Sequence, residues 1–452
     1  MTTTLPGRTR RQLPSPVPRR DRTGLFVAVS LLGAAAGAAV LTLGVLAGAP
    51  EHVLTGSTLL VFAAGWGLLA LLTARWTDRP LRWALLPAGY LAVLGAGILA
   101  LAPGDGALGA AGWFWPAGLL ALAVWVAGRA RHSVPGWSRR WLLYPVCALM
   151  ALAAVGGCTE TVYESVSRPA PAAGRGYDVD GHRMYLRCEG TGTPTVVLAS
   201  GFGEHSSVWG WVAPALAADT RVCVYDRAGQ GWSGPAGARD GVAQAGDLHT
   251  LLQVAGVPGP YLLAGHSVGG IYGMIFAARY PDETAGMVLL DSTTPEQFAL
   301  PSYPGAYSLG RRLSGVLPPL ARLGAARVGY RASFGSLPAR AREEERSFAA
   351  DPGNLRAARD EWAQLPAAFG QAGALRDLGA KPLVVLTAGR GAQTGWFAAQ
   401  DKLATLSRNA AHRTLMDASH DSLVADRRFA GYASQAIRDV VAAVRTGRHV
   451  AA

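Results

Sequence analysis

Lysine is almost missing from this chain: Lys381 and Lys402 are the only two among 452 residues. Neither falls in residues 1–157, where the cations are 13 arginines and the acids are Asp21, Glu51, Asp78 and Asp105. The interiors of the apolar blocks in that region carry no charge, which argues against a proton or ion pathway through them. Cysteine is scarce as well. Cys147, Cys158, Cys188 and Cys223 lack metal-ligand spacing, so no metal site is expected, and no motif calls for a cofactor. No internal repeat is visible, which excludes solenoids and propellers. The net charge of +12 lacks the aromatic-and-basic pattern of a nucleic-acid groove. Its surplus sits in the first 157 residues, since the remainder holds 29 basic and 26 acidic side chains. A nucleic-acid partner is therefore not expected.

What is abundant is apolar surface, at 50% of all residues. An apolar helix needs about 20 residues to cross the hydrocarbon core of a bilayer. Segments at about 24–49, 53–74, 83–103, 107–128 and 141–157 meet or approach that length. Five successive blocks do not fit a cleaved signal peptide. Arginines crowd the N-terminal tail, the loop at 75–82 and the loop at 129–140, whereas the first and third loops have none. Basic loops stay in the cytoplasm. The sequence therefore predicts a basic cytoplasmic tail (1–23), five membrane helices (24–157) and a C-terminal domain outside. Gly33 and Gly37 form a GxxxG pair suited to helix packing.

A Pro-, Ala-, Gly- and Ser-rich stretch at 158–176 reads as a linker. Tyr177–Cys188 then alternates around Asp180-Gly181, a strong hairpin signal. Short β-branched runs follow, among them Thr195–Ala199, Arg221–Tyr225, Tyr261–Ala264, Met287–Leu290, Pro382–Leu386 and Arg413–Met416, separated by helical stretches. That alternation predicts a mostly parallel, doubly wound α/β sheet. One strand runs directly into Gly265-His266-Ser267-Val268-Gly269, and an apolar helix follows. GxSxG alone is a weak signal, but between strand and helix it reads as a nucleophile elbow.

The stretch from Tyr177 to about Val444 resembles the α/β-hydrolase superfamily, close to its esterase and proline-iminopeptidase-like members. Four landmarks carry the resemblance in order: Ser200-Gly201-Phe202-Gly203, Tyr225-Asp226-Arg227-Ala228-Gly229-Gln230-Gly231-Trp232-Ser233, the elbow itself, and Ala418-Ser419-His420-Asp421. The resemblance implies Ser267 as nucleophile, His420 as its base, and the N–H groups of Phe202 and Val268 as the oxyanion hole. Many relatives carry His where this chain has Ser200. Among the other histidines, His182, His249, His266 and His412 suit packing or surface roles, and His205 could line the pocket. Asp226 and Arg227 suit bracing of the loops. The domain would run 177–452 with a helical cap at about 293–380. In the superfamily's sheet order, Cys188 and Cys223 lie on neighbouring strands, so a disulfide is expected in an extracytoplasmic domain.

Relatives place the triad acid after either the seventh or the sixth strand. The loop Thr387–Gly395 has no carboxylate, Asp401 lies further along on a helix, and Asp417 and Asp421 flank His420 too closely. Asp291, at the end of the sixth strand, is therefore the assignment, although it could instead only cap the start of the inserted helices. The leading reading is a membrane-anchored serine hydrolase of an ester, thioester or amide, with a small or lipid-like acyl substrate and the membrane as its partners. An acyltransferase with the same triad, or a non-catalytic ligand receptor on the same fold, are the alternatives.

Overall fold

The structure is a computed structural model and describes residues 22–167 and 174–451. Most of the N-terminal tail therefore lies outside the described residues, as does the centre of the linker. Four helices, Thr23–Val45, Glu51–Trp76, Arg82–Leu101 and Gly136–Val166, are long and apolar enough to cross a membrane. A fifth candidate is a pair, Asp105–Ala111 and Trp115–Ser133, bent by 47°. Val27, Trp66, Leu69, Val126 and Leu143 fill the centre of this bundle. Val40, Leu71, Val93, Val124 and Leu152 remain exposed on its outside. A bundle apolar inside and out matches hydrocarbon as its solvent.

The last of these helices extends past residue 157 to Val162 and on to Ser167, so it takes up much of the segment expected to be a tether. The GxxxG expectation also changes. A Cβ on Gly33 would meet nothing within 4 Å, and one on Gly37 would meet Val61 Cγ1 at 3.4 Å, an ordinary side-chain contact, so the pair does not bring two helix backbones together. Close approach occurs instead at Gly56 and Gly95, where a Cβ would fall 2.9 Å from Gly95 O and 2.7 Å from Gly56 O respectively.

The C-terminal domain is built on one eight-stranded sheet of order β1-β2-β4-β3-β5-β6-β7-β8. Its strands are β1 (Arg175–Val179), β2 (His182–Glu189), β3 (Thr195–Ala199), β4 (Val222–Tyr225), β5 (Tyr261–His266), β6 (Thr284–Leu290), β7 (Leu383–Arg390) and β8 (Ala410–Ser419). The first hairpin turns on Asp180 and Gly181, both at positive φ, as a tight two-residue connection requires. β2 pairs antiparallel with β1 and β4, and the other pairings are parallel. β3, β4 and β5 are buried along their whole length, the pattern expected of strands covered on both faces. Alternate residues serve the two faces. Val197, Leu263, Leu289 and Val385 pack toward the elbow helix Val268–Arg279. Val196, Leu262, Val288 and Val384 pack toward the C-terminal helix Arg427–Thr446.

Between β6 and β7 the chain leaves the sheet to form the cap, chiefly helices Tyr303–Ser314, Leu317–Arg322, Ala339–Ala350 and Pro352–Ala372. The cap packs on the apolar helical bundle as well as on the sheet edge. Arg322 and Arg356 pair with Glu51 at 2.5 Å each, Arg322 also reaches Asp105 at 2.6 Å, and Arg327 pairs with Glu160.

Candidate active site

Ser267 lies at the turn between β5 and the elbow helix, at φ 55° and ψ −125°. Such a conformation is costly for a residue with a Cβ and persists only where its surroundings enforce it. Here they do. A Cβ on Gly265 would lie 2.4 Å from the backbone of Gly269, and one on Gly269 would lie 2.1 Å from Ala199 O. Both positions must be glycine for strand, turn and helix to close this tightly. Ser267 N donates to Leu290 O at 3.1 Å, and Ser267 O accepts from Thr293 N at 3.1 Å, which ties the turn to the end of β6.

That strand end also presents Asp291, itself at positive φ (42°) and almost fully buried. Its Oδ2 lies 2.6 Å from His420 Nδ1. Its Oδ1 accepts from Ala388 N at 3.1 Å and from Trp396 Nε1 at 2.8 Å. His420 follows β8, and its Nε2 has no partner among the described residues. The competing acids are elsewhere. Asp401 is exposed and bonds His412 Nδ1 at 2.6 Å, while Asp417 and Asp421 point to solvent. Ser267, Asp291 and His420 thus stand at the carboxyl ends of β5, β6 and β8, at one edge of the sheet.

The loops around them are braced by buried charge. Arg227 donates to Ser200 O at 2.7 Å and Gly201 O at 2.8 Å, and its Nε lies 3.0 Å from Glu361 of the cap. Asp226 accepts from Ser206 N at 2.6 Å and Trp232 N at 2.9 Å. These contacts fix the loop that carries Phe202. The N–H groups of Phe202 and Val268 have no hydrogen-bond partner among the described residues. Val268 opens the elbow helix, where such N–H groups are free by construction and the helix dipole favours negative charge. Ser200 Oγ meanwhile accepts from Trp209 Nε1 and donates to His205 O, at 3.0 Å each, which holds the loop from a position where many relatives carry His.

Glu204 and His266 escaped the sequence reading as a pair. His266 is fully buried behind Ser267, with Nδ1 2.8 Å from Glu204 Oε2 and Nε2 3.1 Å from His420 O. Both partners are acceptors, so both ring nitrogens carry protons. Burial works against the charged ring, but Glu204 and these hydrogen bonds raise its pKa to about 9. Glu204 Oε2 also accepts from Gly201 N at 2.6 Å. The pair therefore links the Phe202 loop, the elbow and the His420 loop. Its sequence signal was the His at the second position of GxSxG, with an acid three residues after Gly201.

His205 does line a cavity, but as a buried residue held by Glu345 of the cap at 3.0 Å. The cavity, about 330 Å³, lies between the cap and Phe202–Gly203. A disulfide joins Cys188 to Cys223, which face each other across the antiparallel β2–β4 ladder.

Comparison with known proteins matches the family profile described as alpha/beta hydrolase fold to residues 194–424. A protein of Azorhizobium caulinodans named carbamate hydrolase RutD is 36% identical over 109 residues, 24% of this chain and 40% of its own. An uncharacterized protein of Schizosaccharomyces pombe is 48% identical over 82 residues, 18% of this chain and 15% of its own. The chain thus spans less than half the length of these curated relatives. Among solved structures, the Cif epoxide hydrolase from Acinetobacter nosocomialis aligns with a TM-score of 0.52 at 17% identity, over 64% of this chain and 96% of that one.

Proposed function

The chain belongs to the α/β-hydrolase family, and from that premise we propose that it is a membrane-anchored serine hydrolase whose catalytic residues are Ser267, His420 and Asp291. The observation that carries this reading is the 2.6 Å contact of His420 Nδ1 with Asp291, at the sheet edge where Ser267 is held at positive φ. Ser267 Oγ attacks the carbonyl carbon of an ester, thioester or amide, and its proton passes to His420 Nε2. Asp291 holds the ring with its proton on Nδ1 and stabilises the imidazolium. The N–H groups of Phe202 and Val268 receive the oxyanion. His420 then gives the proton to the leaving group, and water repeats the sequence in reverse to free the acid and Ser267. The relative named for carbamate hydrolysis adds carbamates to the substrates worth testing, since their carbonyl invites the same attack.

The five apolar segments anchor the enzyme, and the arginine-rich loops set its N-terminus in the cytoplasm and the hydrolase domain outside. The test is labelling of membranes with a fluorophosphonate, together with turnover of short acyl esters. Wild-type protein should label and hydrolyse. Ser267→Ala should do neither, and His420→Ala should lose turnover. Undiminished labelling and turnover of Ser267→Ala would end the assignment.

A further inference from the structure

The cavity under the cap has two ends of different character. One reaches the oxyanion loop at Phe202, whose ring meets Trp362 edge-on at 4.6 Å. The other is bounded by Leu313, Ser314 and Leu317, beside the seam between cap and membrane bundle. At that seam Gly315 packs so closely that a Cβ would fall 2.9 Å from Gly48 Cα. The lining between the ends is largely apolar, with Leu355 and Phe348 among its side chains.

Among the polar groups in this wall is one guanidinium. Arg359 lines the cavity and is 8% exposed, and its Nε is buried without a hydrogen-bond partner among the described residues. Its Nη2 is bonded to the adjacent Asp360. The charges around it do not balance. Arg311 and Arg356 lie near enough to disfavour its charge, and Asp360 and Glu51 oppose them. Glu51 is already bonded to Arg322 and Arg356. Burial first, then the two neighbouring arginines, hold the Arg359 pKa below its usual value against the pull of Asp360, and an anion bound beside it would act in the same sense as Asp360. A guanidinium in the wall of a largely apolar pocket is a recognition group for carboxylate or phosphate.

We infer that the substrate is an amphiphilic acyl compound carrying a negatively charged group, and that Arg359 is the specificity-determining residue that binds this group in the cap cavity. The inference rests on the proposed hydrolase reading, because it places the charge on a substrate of Ser267. An anionic group on an apolar chain also suits a cavity that ends at a seam with membrane helices.

The experiment uses the full chain in detergent micelles and two matched pairs of esters. The first pair is p-nitrophenyl octanoate and the mono-p-nitrophenyl ester of suberic acid, which differ by a carboxylate at the far end of the acyl chain. The second is monooleoylglycerol and oleoyl lysophosphatidic acid, which differ by a phosphate on the alcohol side. In one pair the charged member should be preferred in kcat/KM by tenfold or more, chiefly through KM, as a charge-assisted hydrogen bond would give (about tenfold or above). Preference in the first pair puts the anion on the acyl side, and preference in the second puts it on the alcohol side. Arg359→Gln should collapse that ratio toward one, and Arg359→Lys should keep part of it. The wild-type ratio tests the idea even if Arg359→Gln folds poorly. No preference in either pair, or a ratio that survives Arg359→Gln, overturns the inference while leaving the hydrolase intact. Failure of Ser267 to label or to turn over any ester would sink the hydrolase reading and this inference together.

Discussion

Replacing Asp291 with Asn tests the assignment of the acid with little change of shape. Asp291 is surrounded by donors: Trp396 Nε1 at 2.8 Å and Ala388 N at 3.1 Å on one oxygen, and His420 Nδ1 at 2.6 Å on the other. An amide can present its oxygen to one side only. If it faces Trp396 and Ala388, its NH2 faces His420 Nδ1, which must then be unprotonated. The ring proton moves to Nε2, the nitrogen that has to accept the proton of Ser267. The ground state keeps its hydrogen bonds, so the fold should lose only about 1 kcal/mol. The transition state loses both the correct tautomer and the counter-charge of the imidazolium. A fall in kcat of about 10⁴-fold is expected, the usual consequence of this change in a Ser-His-Asp triad. Asp401→Asn is the control, because that carboxylate bonds His412 and is largely exposed. The assay is single-turnover kinetics with a chromogenic ester, beside thermal melting of both variants. Near-normal turnover in Asp291→Asn with a crippled Asp401→Asn would refute the reasoning.

The buried Glu204–His266 pair should make stability depend on pH. His266 is raised above its usual value, so its contribution is complete below about pH 6.5 and is lost as pH rises through about 9. It amounts to on the order of 3 kcal/mol. Glu204 is lowered, so its share is lost only in acid, as pH falls through its depressed value. Melting followed by loss of fluorophosphonate labelling should show a decline from pH 7 to 10 that Glu204→Gln flattens; identical profiles would dismiss the pair as a source of stability. Reduction of the Cys188–Cys223 disulfide, which closes a separation of 35 residues, should lower stability by up to about 4 kcal/mol in a chain-entropy account. Alkylation with and without reductant, read by mass, checks it: free labelling of both cysteines in unreduced protein would count against the bond. Protease added to intact cells, after wall removal where needed, should cut near the linker and release the hydrolase domain. Cleavage only after lysis would invert the proposed topology.

The elbow was legible because its constraint is local. Gly265 and Gly269 are needed by backbone packing within a few residues, and an apolar strand and helix flank them in sequence. The cap was legible as a length, the long interval between β6 and β7. The contact of Asp291 with His420 was anticipated by elimination, since the loop after β7 offers no carboxylate, but its partners Trp396 and Ala388 are about 100 residues away and leave no mark near it. The same holds for Glu345 and Glu361. In sequence they belong to charged helices of an inserted segment. In the structure they are buried against His205 and Arg227. A pattern of hydrophobic spacing says which face of a helix turns inward, but not that a carboxylate on that face will meet a histidine or arginine from another loop.

The seam between cap and bundle was the least legible feature, for a related reason. Glu51 and Asp105 read as ordinary acids in short loops, and Glu160 as part of a polar tether. Glu51 and Glu160 are each 3% exposed and Asp105 stands beside Glu51, all three meeting cap arginines more than 150 positions away. The helix that carries Glu160 had to extend beyond its apolar stretch to bring that carboxylate to Arg327, and the extension is why the tether came out shorter than composition suggested. Glu51 and Glu160 are buried and meet their cations on the cap, so replacing Arg322, Arg327 and Arg356 would leave buried carboxylates unpaired, which costs more than the pair returns. The bundle is thus part of the support of the cap. Since the cap roofs the cavity that ends at Phe202, the ends of the apolar helices bear on the shape of the candidate site.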